Sequence, residues 1–212
     1  MKVLIVNGSP HPNGTTFTAL KEVEKTLIEE GIETEIFWIG NKPTGGCIGC
    51  MSCAKLGKCV FDDDKVNEFV EKAKDFDGFV FGSPVHYAAM GGNIASFMDR
   101  VFYSSSCAGK SDYFKYKPAA SVVCARRGGS SATYDQLNKY FGISQMPIIS
   151  SSYWNMVHGR VAEDAPKDEE GMLTMRRLAR NMAYFLNCIE AGKKQGVKKP
   201  KQEDNVRTNF IK

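Results

Sequence analysis

Two short stretches of this 212-residue chain hold residue types that do chemistry rather than fill space. The first is Gly8-Ser9-Pro10-His11-Pro12-Asn13-Gly14-Thr15-Thr16. It lies between a β-branched apolar run, Val3 to Val6, and apolar residues at helical spacing, Phe17, Leu20, Val23, Leu27 and Ile28. A loop leading from a buried strand into a helix start offers free backbone N–H groups and the positive end of the helix dipole, which together attract anions. Ser9, Thr15 and Thr16 add hydroxyl donors, and Asn13 and Gly14 suit turn positions of positive φ. The stretch matches neither Gly-x-Gly-x-x-Gly nor a Gly-Lys-Ser/Thr phosphate loop. Without a lysine it suits a phosphomonoester better than a triphosphate with magnesium. A plain turn with a Ser/Thr helix cap is the alternative.

The second stretch is Cys47-x-x-Cys50-x-x-Cys53, followed by Cys59. It takes four of the chain's seven cysteines, whereas a secreted disulfide framework would be spread through a shorter chain. Three thiolates at this spacing can wrap one face of a cubane and a fourth can close the site, as in [4Fe–4S] ferredoxin sites. Zinc held by four thiolates, a redox-active disulfide and metal-free thiols are the other readings of the same residues. Cys124 and Cys188 fall in apolar patterns and read as buried thiols, and Cys107 takes no role.

Two further loops bring ligand-binding residue types. Gly82-Ser83-Pro84-Val85-His86-Tyr87-Ala88-Ala89-Met90-Gly91-Gly92-Asn93 holds two ring side chains, a thioether and small residues that let backbone approach a flat ligand. Cys124-Ala125-Arg126-Arg127-Gly128-Gly129 adds small residues and positive charge, and an arginine can stack on a ring or bind phosphate. His86 reads as a hydrogen-bonded loop side chain rather than an acid or base. No Ser-His-Asp or paired-carboxylate set stands out.

These loops are positioned by an alternation of strands and helices. Strands are predicted at Val3 to Val6, Glu33 to Ile39, Phe76 to Phe81, Ala119 to Ala125 and Pro147 to Ser152. Helices are predicted from Phe17 towards Gly31, after Asp62-Asp63-Asp64 through Val66, Phe69, Val70 and Ala73, and over Gly91 to Phe102, Ser131 to Phe141 and Met172 to Ile189. The pattern predicts an α/β fold, a five-stranded doubly wound parallel sheet with helices on both faces. Ligands of such sheets bind outside the carboxyl ends of the strands, at the switch point of the strand order. The chain is expected to form one domain over residues 1–192, with a cysteine-rich loop at 44–60 and a basic tail at 193–212.

Gly-Ser-Pro-His-Pro-Asn-Gly-Thr-Thr, Ser-Pro-Val-His-Tyr-Ala-Ala-Met-Gly-Gly and Ala-Arg-Arg-Gly-Gly, in this order and spacing, resemble the NADPH-dependent FMN reductase family, whose fold is flavodoxin-like. The resemblance covers roughly the first 155 residues and the last helix. It implies Ser9, His11, Asn13, Gly14, Thr15 and Thr16 around an FMN phosphate. It implies Pro84, Val85, His86, Tyr87 and Met90 beside the isoalloxazine, and Ala125, Arg126, Gly128 and Gly129 on a third side. Many members carry Arg at the position of His11 and Asn at that of Thr15. The cysteine spacing resembles the family's iron–sulfur flavoproteins, which implies Cys47, Cys50, Cys53 and Cys59 as ligands of a cluster that passes electrons through FMN.

The expected function is therefore that of an oxidoreductase in which NAD(P)H reduces FMN. The reduced flavin then passes electrons to a flavin, a quinone, an azo or nitro compound, or a protein. The flavin carries the chemistry, so no catalytic residue set is needed. One alternative is an iron–sulfur flavoprotein fed by a ferredoxin-like donor. Another is a non-enzymatic flavodoxin-like binding protein with a zinc or thiol loop.

Composition bounds the partners. The apolar content of 42% is enough for a core, and the formal charge of +4 is local to Lys193 to Lys201, which holds five lysines and no acid. Those lysines are not interleaved with aromatics, so no nucleic-acid partner is expected. No apolar run approaches the ~20 residues of a membrane span, and Met1 to Gly8 reads as a buried strand rather than a leader. The absence of targeting signals points to a cytoplasmic protein, and by analogy with flavodoxin-like sheets, which often pair, a homodimer or homotetramer is expected. Phe210 and Ile211 of the tail are expected either to dock on the body or a second subunit or to form a disordered end.

Overall fold

The structure is a computed structural model that describes residues 1–204, 206 and 208–211. In chain order its elements are β1 (Lys2–Asn7), α1 (Thr15–Glu29), β2 (Glu33–Trp38), α2 (Cys53–Leu56), α3 (Val66–Ala73), β3 (Gly78–His86), β4 (Ala89–Met90), α4 (Gly92–Cys107), β5 (Ala119–Ala125), α5 (Ser130–Ile143), β6 (Met156–His158) and α6 (Glu169–Lys194). Five parallel strands lie in the order β2-β1-β3-β5-β6, and β4 pairs antiparallel with the end of β3. This is the flavodoxin-like order, whose switch point lies between β1 and β3.

Strand periodicity divides the core in two. On one face Leu4, Val6, Phe79, Phe81, Ala119 and Val123 pack under α3, α4 and α5. On the other, Val3, Ile5, Val80, Ala120 and Val122 meet α1 and α6. Successive side chains of a strand point to opposite faces, so a parallel strand covered on both sides must be apolar throughout. The first face is aromatic. Phe69 lies with its ring centroid 5.2 Å from that of Phe97, 5.4 Å from Phe37 and 5.8 Å from Phe81.

Three expectations need correction. The fifth strand is not Pro147 to Ser152: Ile148 makes only an isolated bridge to Ala119, and the ordered pairing resumes at Met156. Asn155 crosses the gap, its carbonyl accepting from the Val123 N–H at 2.9 Å. An edge strand needs pairing on one side only, which tolerates such a break. Cys188 is exposed, because the buried stripe of α6 runs through Leu178, Met182 and Leu186 and leaves positions 185 and 188 beside it. Phe210 and Ile211 are exposed and do not dock on this chain's body. Residues 205, 207 and 212 of the same tail lie outside the described residues. Among the described residues, no helix is long and apolar enough to cross a membrane.

Candidate functional site

A cleft of about 680 Å³ opens outside the carboxyl ends of β1, β3 and β5. It is not the largest hollow, since one of about 950 Å³ lies between residues 39–48 and 61–68. Its place at the switch point singles it out. Four loops wall it: Ser9 to Thr16, Pro84 to His86, Cys124 with Arg126, and Gly159 to Glu163.

The first loop is braced from beneath by buried Asn7. Its Oδ1 accepts from the Ser9 N–H at 3.1 Å and its Nδ2 donates to the Pro12 carbonyl at 3.2 Å. Ser9 Oγ accepts from the His11 N–H at 3.1 Å, and the Trp38 indole donates to the Ser9 carbonyl at 2.8 Å. No side chain caps α1, so the N–H groups of its first turn face the cleft unshared. Gly14 has φ −85°, and Asn13 is not among the residues of positive φ, contrary to the turn expected there. What Gly14 provides is room: a Cβ would stand 3.2 Å from His11 Cβ.

The second wall is a hairpin tip. Tyr87 and Ala88 both adopt positive φ, 46° and 63°, between the paired His86 and Ala89. This two-residue turn favours Asn-Gly, so Tyr-Ala holds it under strain. The neighbouring loop fixes it. Gly129 has φ 95°, and a Cβ there would meet Ala88 Cα at 2.5 Å. Cys124 lies at the base of the cleft, where burial pushes its thiol up to about 12.

Of the expected flavin residues, Ser9, His11, Asn13, Gly14, Thr15, Thr16, Pro84, Val85, His86 and Arg126 meet in this cleft. The others stand off its surface. Tyr87 points into solvent, Met90 packs on the core with its N–H donating to Gln136 Oε1 at 2.8 Å, and Ala125 is buried. Gly128 and Gly129 belong to the turn leading into α5.

The fourth wall escapes sequence reading. Gly159 donates to the Ala125 carbonyl at 3.0 Å, and a Cβ on it would stand 3.1 Å from Thr15 Cγ2. Asp164 ties the loop by accepting from the Arg160 and Val161 N–H groups, and those bonds hold its carboxyl below the usual range. With a fifth strand expected at 147–152, residues 159–163 fall in an unassigned connection. The Gly-Arg pair following His158 is the one sequence signal there.

The thiols of Cys47, Cys50, Cys53 and Cys59 line one small cavity of about 20 Å³, together with Ile48, Met51, Val60, Phe61, Arg100 and Tyr103. Cys47 and Cys50 are exposed, and Cys53 and Cys59 are buried. A hydrogen bond from the Ser52 side chain holds the Cys50 thiol below its usual range. Burial, then the neighbouring Cys107, raises that of Cys53. Asn67 pins the Cys59 limb: its Oδ1 accepts from the Cys59 N–H, and its Nδ2 donates to the carbonyls of Cys59 and Phe61, each at 3.0 Å. Among the described residues, no three His, Cys, Asp or Glu side chains converge closely enough to hold a single ion.

Residues 1–160 match the family described as NADPH-dependent FMN reductase. An iron–sulfur flavoprotein of Methanocaldococcus jannaschii is 32% identical over 195 residues, covering 90% of this chain and 100% of that protein. RosB, solved with the bound intermediate 8-demethyl-8-formylriboflavin-5'-phosphate, shares the fold at TM-score 0.70 and 14% identity, over 100% of this chain and 92% of its own. A flavodoxin from the domain Archaea does so at TM-score 0.58 and 12% identity, over 88% of this chain and 99% of its own.

Proposed function

This chain belongs to the NADPH-dependent FMN reductase family, and on that footing we propose an electron-transfer flavoprotein in which Cys47, Cys50, Cys53 and Cys59 hold a [4Fe–4S] cluster that exchanges electrons with FMN. One observation carries the reading: four thiols surround one cavity, and α4 runs from the cleft-side hairpin past that cavity.

The cleft suits FMN in size and polarity. The uncapped first turn of α1, with the hydroxyls of Ser9, Thr15 and Thr16, can hold the phosphate. Pro84, Val85 and His86 offer a wall for the ring. Cys124, a neutral buried thiol, packs beneath and supplies no nucleophile.

The thiol set suits a cluster in kind. It is all sulfur, and cluster ligands stand on separate irons, hence farther apart than four ligands on one zinc. A cavity of about 20 Å³ holds roughly one water, and Cys47 and Cys50 stand on its exposed side. When bound, FMN supplies two-electron and one-electron chemistry, and a cluster supplies one-electron transfer.

A second reading makes NAD(P)H the electron donor. Arg126 and Arg160, exposed at the cleft rim, favour it because a guanidinium pairs readily with a nucleotide phosphate. Anaerobic rapid mixing separates the two. In the proposed function, a reduced one-electron donor protein bleaches the flavin faster than NADH or NADPH does, and Cys→Ser replacement of all four loop thiols abolishes only that faster route. Bleaching by NADPH that is fastest, and unchanged in the Cys→Ser protein, would establish the second reading instead.

A further inference from the structure

Helix α4 buries a charged side chain. Arg100 is 1% exposed, and most of its donors are used. Nε donates to Cys59 Sγ at 3.3 Å, Nη1 to the Gly45 carbonyl at 3.3 Å and Nη2 to the Phe61 carbonyl at 3.0 Å. Nη1 also pairs with Asp64, and the guanidinium lies 5.1 Å from the Phe61 ring centroid. Burying a cation costs several kcal/mol unless it is paired and hydrogen-bonded. Asp64 answers the charge. It does not explain why the fork spans Gly45 and Phe61, which flank the cysteine run on either side, or why Nε is aimed at a thiol sulfur.

We infer that Arg100 is a positioning residue for the thiol loop: it closes the two limbs onto α4 and presents a fixed N–H donor to the Cys59 sulfur, which raises the reduction potential of the cluster held there. The inference rests on the cluster reading above. A hydrogen bond to a ligand sulfur stabilises the more negative, reduced state, so it favours electron uptake. The planar fork reaches two carbonyls and a sulfur together, which a lysine ammonium on a flexible stem does not reproduce.

The test uses the full chain, reconstituted anaerobically with ferrous iron and sulfide, in wild-type, Arg100→Lys and Arg100→Gln/Asp64→Asn forms. The double variant avoids leaving the partly buried Asp64 carboxylate unpaired. FMN content reports an intact sheet, and iron and sulfide content report loading. Midpoint potential and amide hydrogen exchange over residues 45–61 report the role itself. In the double variant the reduction equilibrium should shift at least tenfold towards the oxidised cluster, or about 59 mV for one electron, and exchange should quicken in the metal-free protein. Arg100→Lys keeps the charge but not the fork, so it should lower the potential and quicken exchange, each by less than the double variant does, and it decides the question if the double variant does not fold. Wild-type potential and wild-type exchange in the variants would overturn the inference. If wild-type protein holds FMN but takes up no iron, the cluster reading fails and the potential claim with it, while exchange still decides whether Arg100 closes the loop.

Discussion

Asn93 Oδ1 accepts the backbone N–H of Thr44 at 2.6 Å. Asn93 lies in the first turn of α4, directly after the hairpin that walls the cleft, and Thr44 opens the cysteine-rich loop. One hydrogen bond thus couples the two candidate centres. Asn93→Ala should leave FMN binding unchanged, cost about 1 kcal/mol of stability and raise hydrogen exchange over residues 41–50. Unchanged exchange there would show that the bond carries no load.

Ser9→Ala removes a hydroxyl that braces the loop through the His11 N–H and faces the cleft. FMN affinity should fall about tenfold, equivalent to about 1.4 kcal/mol, while riboflavin, which lacks the phosphate, loses much less. Flavin fluorescence titration reads both. Equal losses for the two ligands would place the phosphate elsewhere.

Gly129 and Gly128 form an internal contrast. At Gly129 an alanine suffers both φ 95° and a Cβ 2.5 Å from Ala88 Cα, whereas at Gly128 a Cβ meets nothing within 4 Å. Gly129→Ala should cost about 2 kcal/mol or more in urea denaturation and weaken FMN binding by displacing the hairpin. Gly128→Ala should stay within about 0.5 kcal/mol of wild type.

The strand–helix alternation, the polar loop after β1 and the thiol spacing are legible because each is local. A buried β-branched run, a polar loop and a helical period follow one another in the chain between Val3 and Leu27. Tertiary pairing was not legible in the same way. The edge strand at Met156 is three residues long and carries no periodic signal, so the wall at Gly159 to Glu163 stayed hidden behind it. The resemblance implies Tyr87 and Met90 beside the ring, but the positive-φ turn sends Tyr87 to solvent and β4 turns Met90 to the core. Nothing in the sequence around Arg100 marks it, because only the packed structure brings Cys59, Gly45, Phe61 and Asp64 around it.

Lys117 predicts an alkaline trend. Burial, outweighing the pull of Asp77, lowers its ammonium to about 8, although Nζ donates to the carbonyls of Ala73 and Lys74. Between pH 8 and about 10.5 the unfolded chain binds a proton that the folded chain has released, so stability rises with pH in that window. Below pH 8 both states carry the proton and the burial cost is felt in full. Relative to Lys117→Met, wild-type stability should therefore climb by on the order of 1–3 kcal/mol from pH 7 to 10.5. A flat difference would mean that Lys117 stays solvated.

The central claim is that the loop thiols hold a cluster beside the flavin cleft, and its most direct test is the iron, acid-labile sulfide and FMN content of protein purified without oxygen. The account predicts one FMN with about four irons and four sulfides per chain, with iron and sulfide lost and FMN kept when Cys53 and Cys59 are changed to Ser. One FMN per chain with iron only at trace level in the wild-type protein would contradict it.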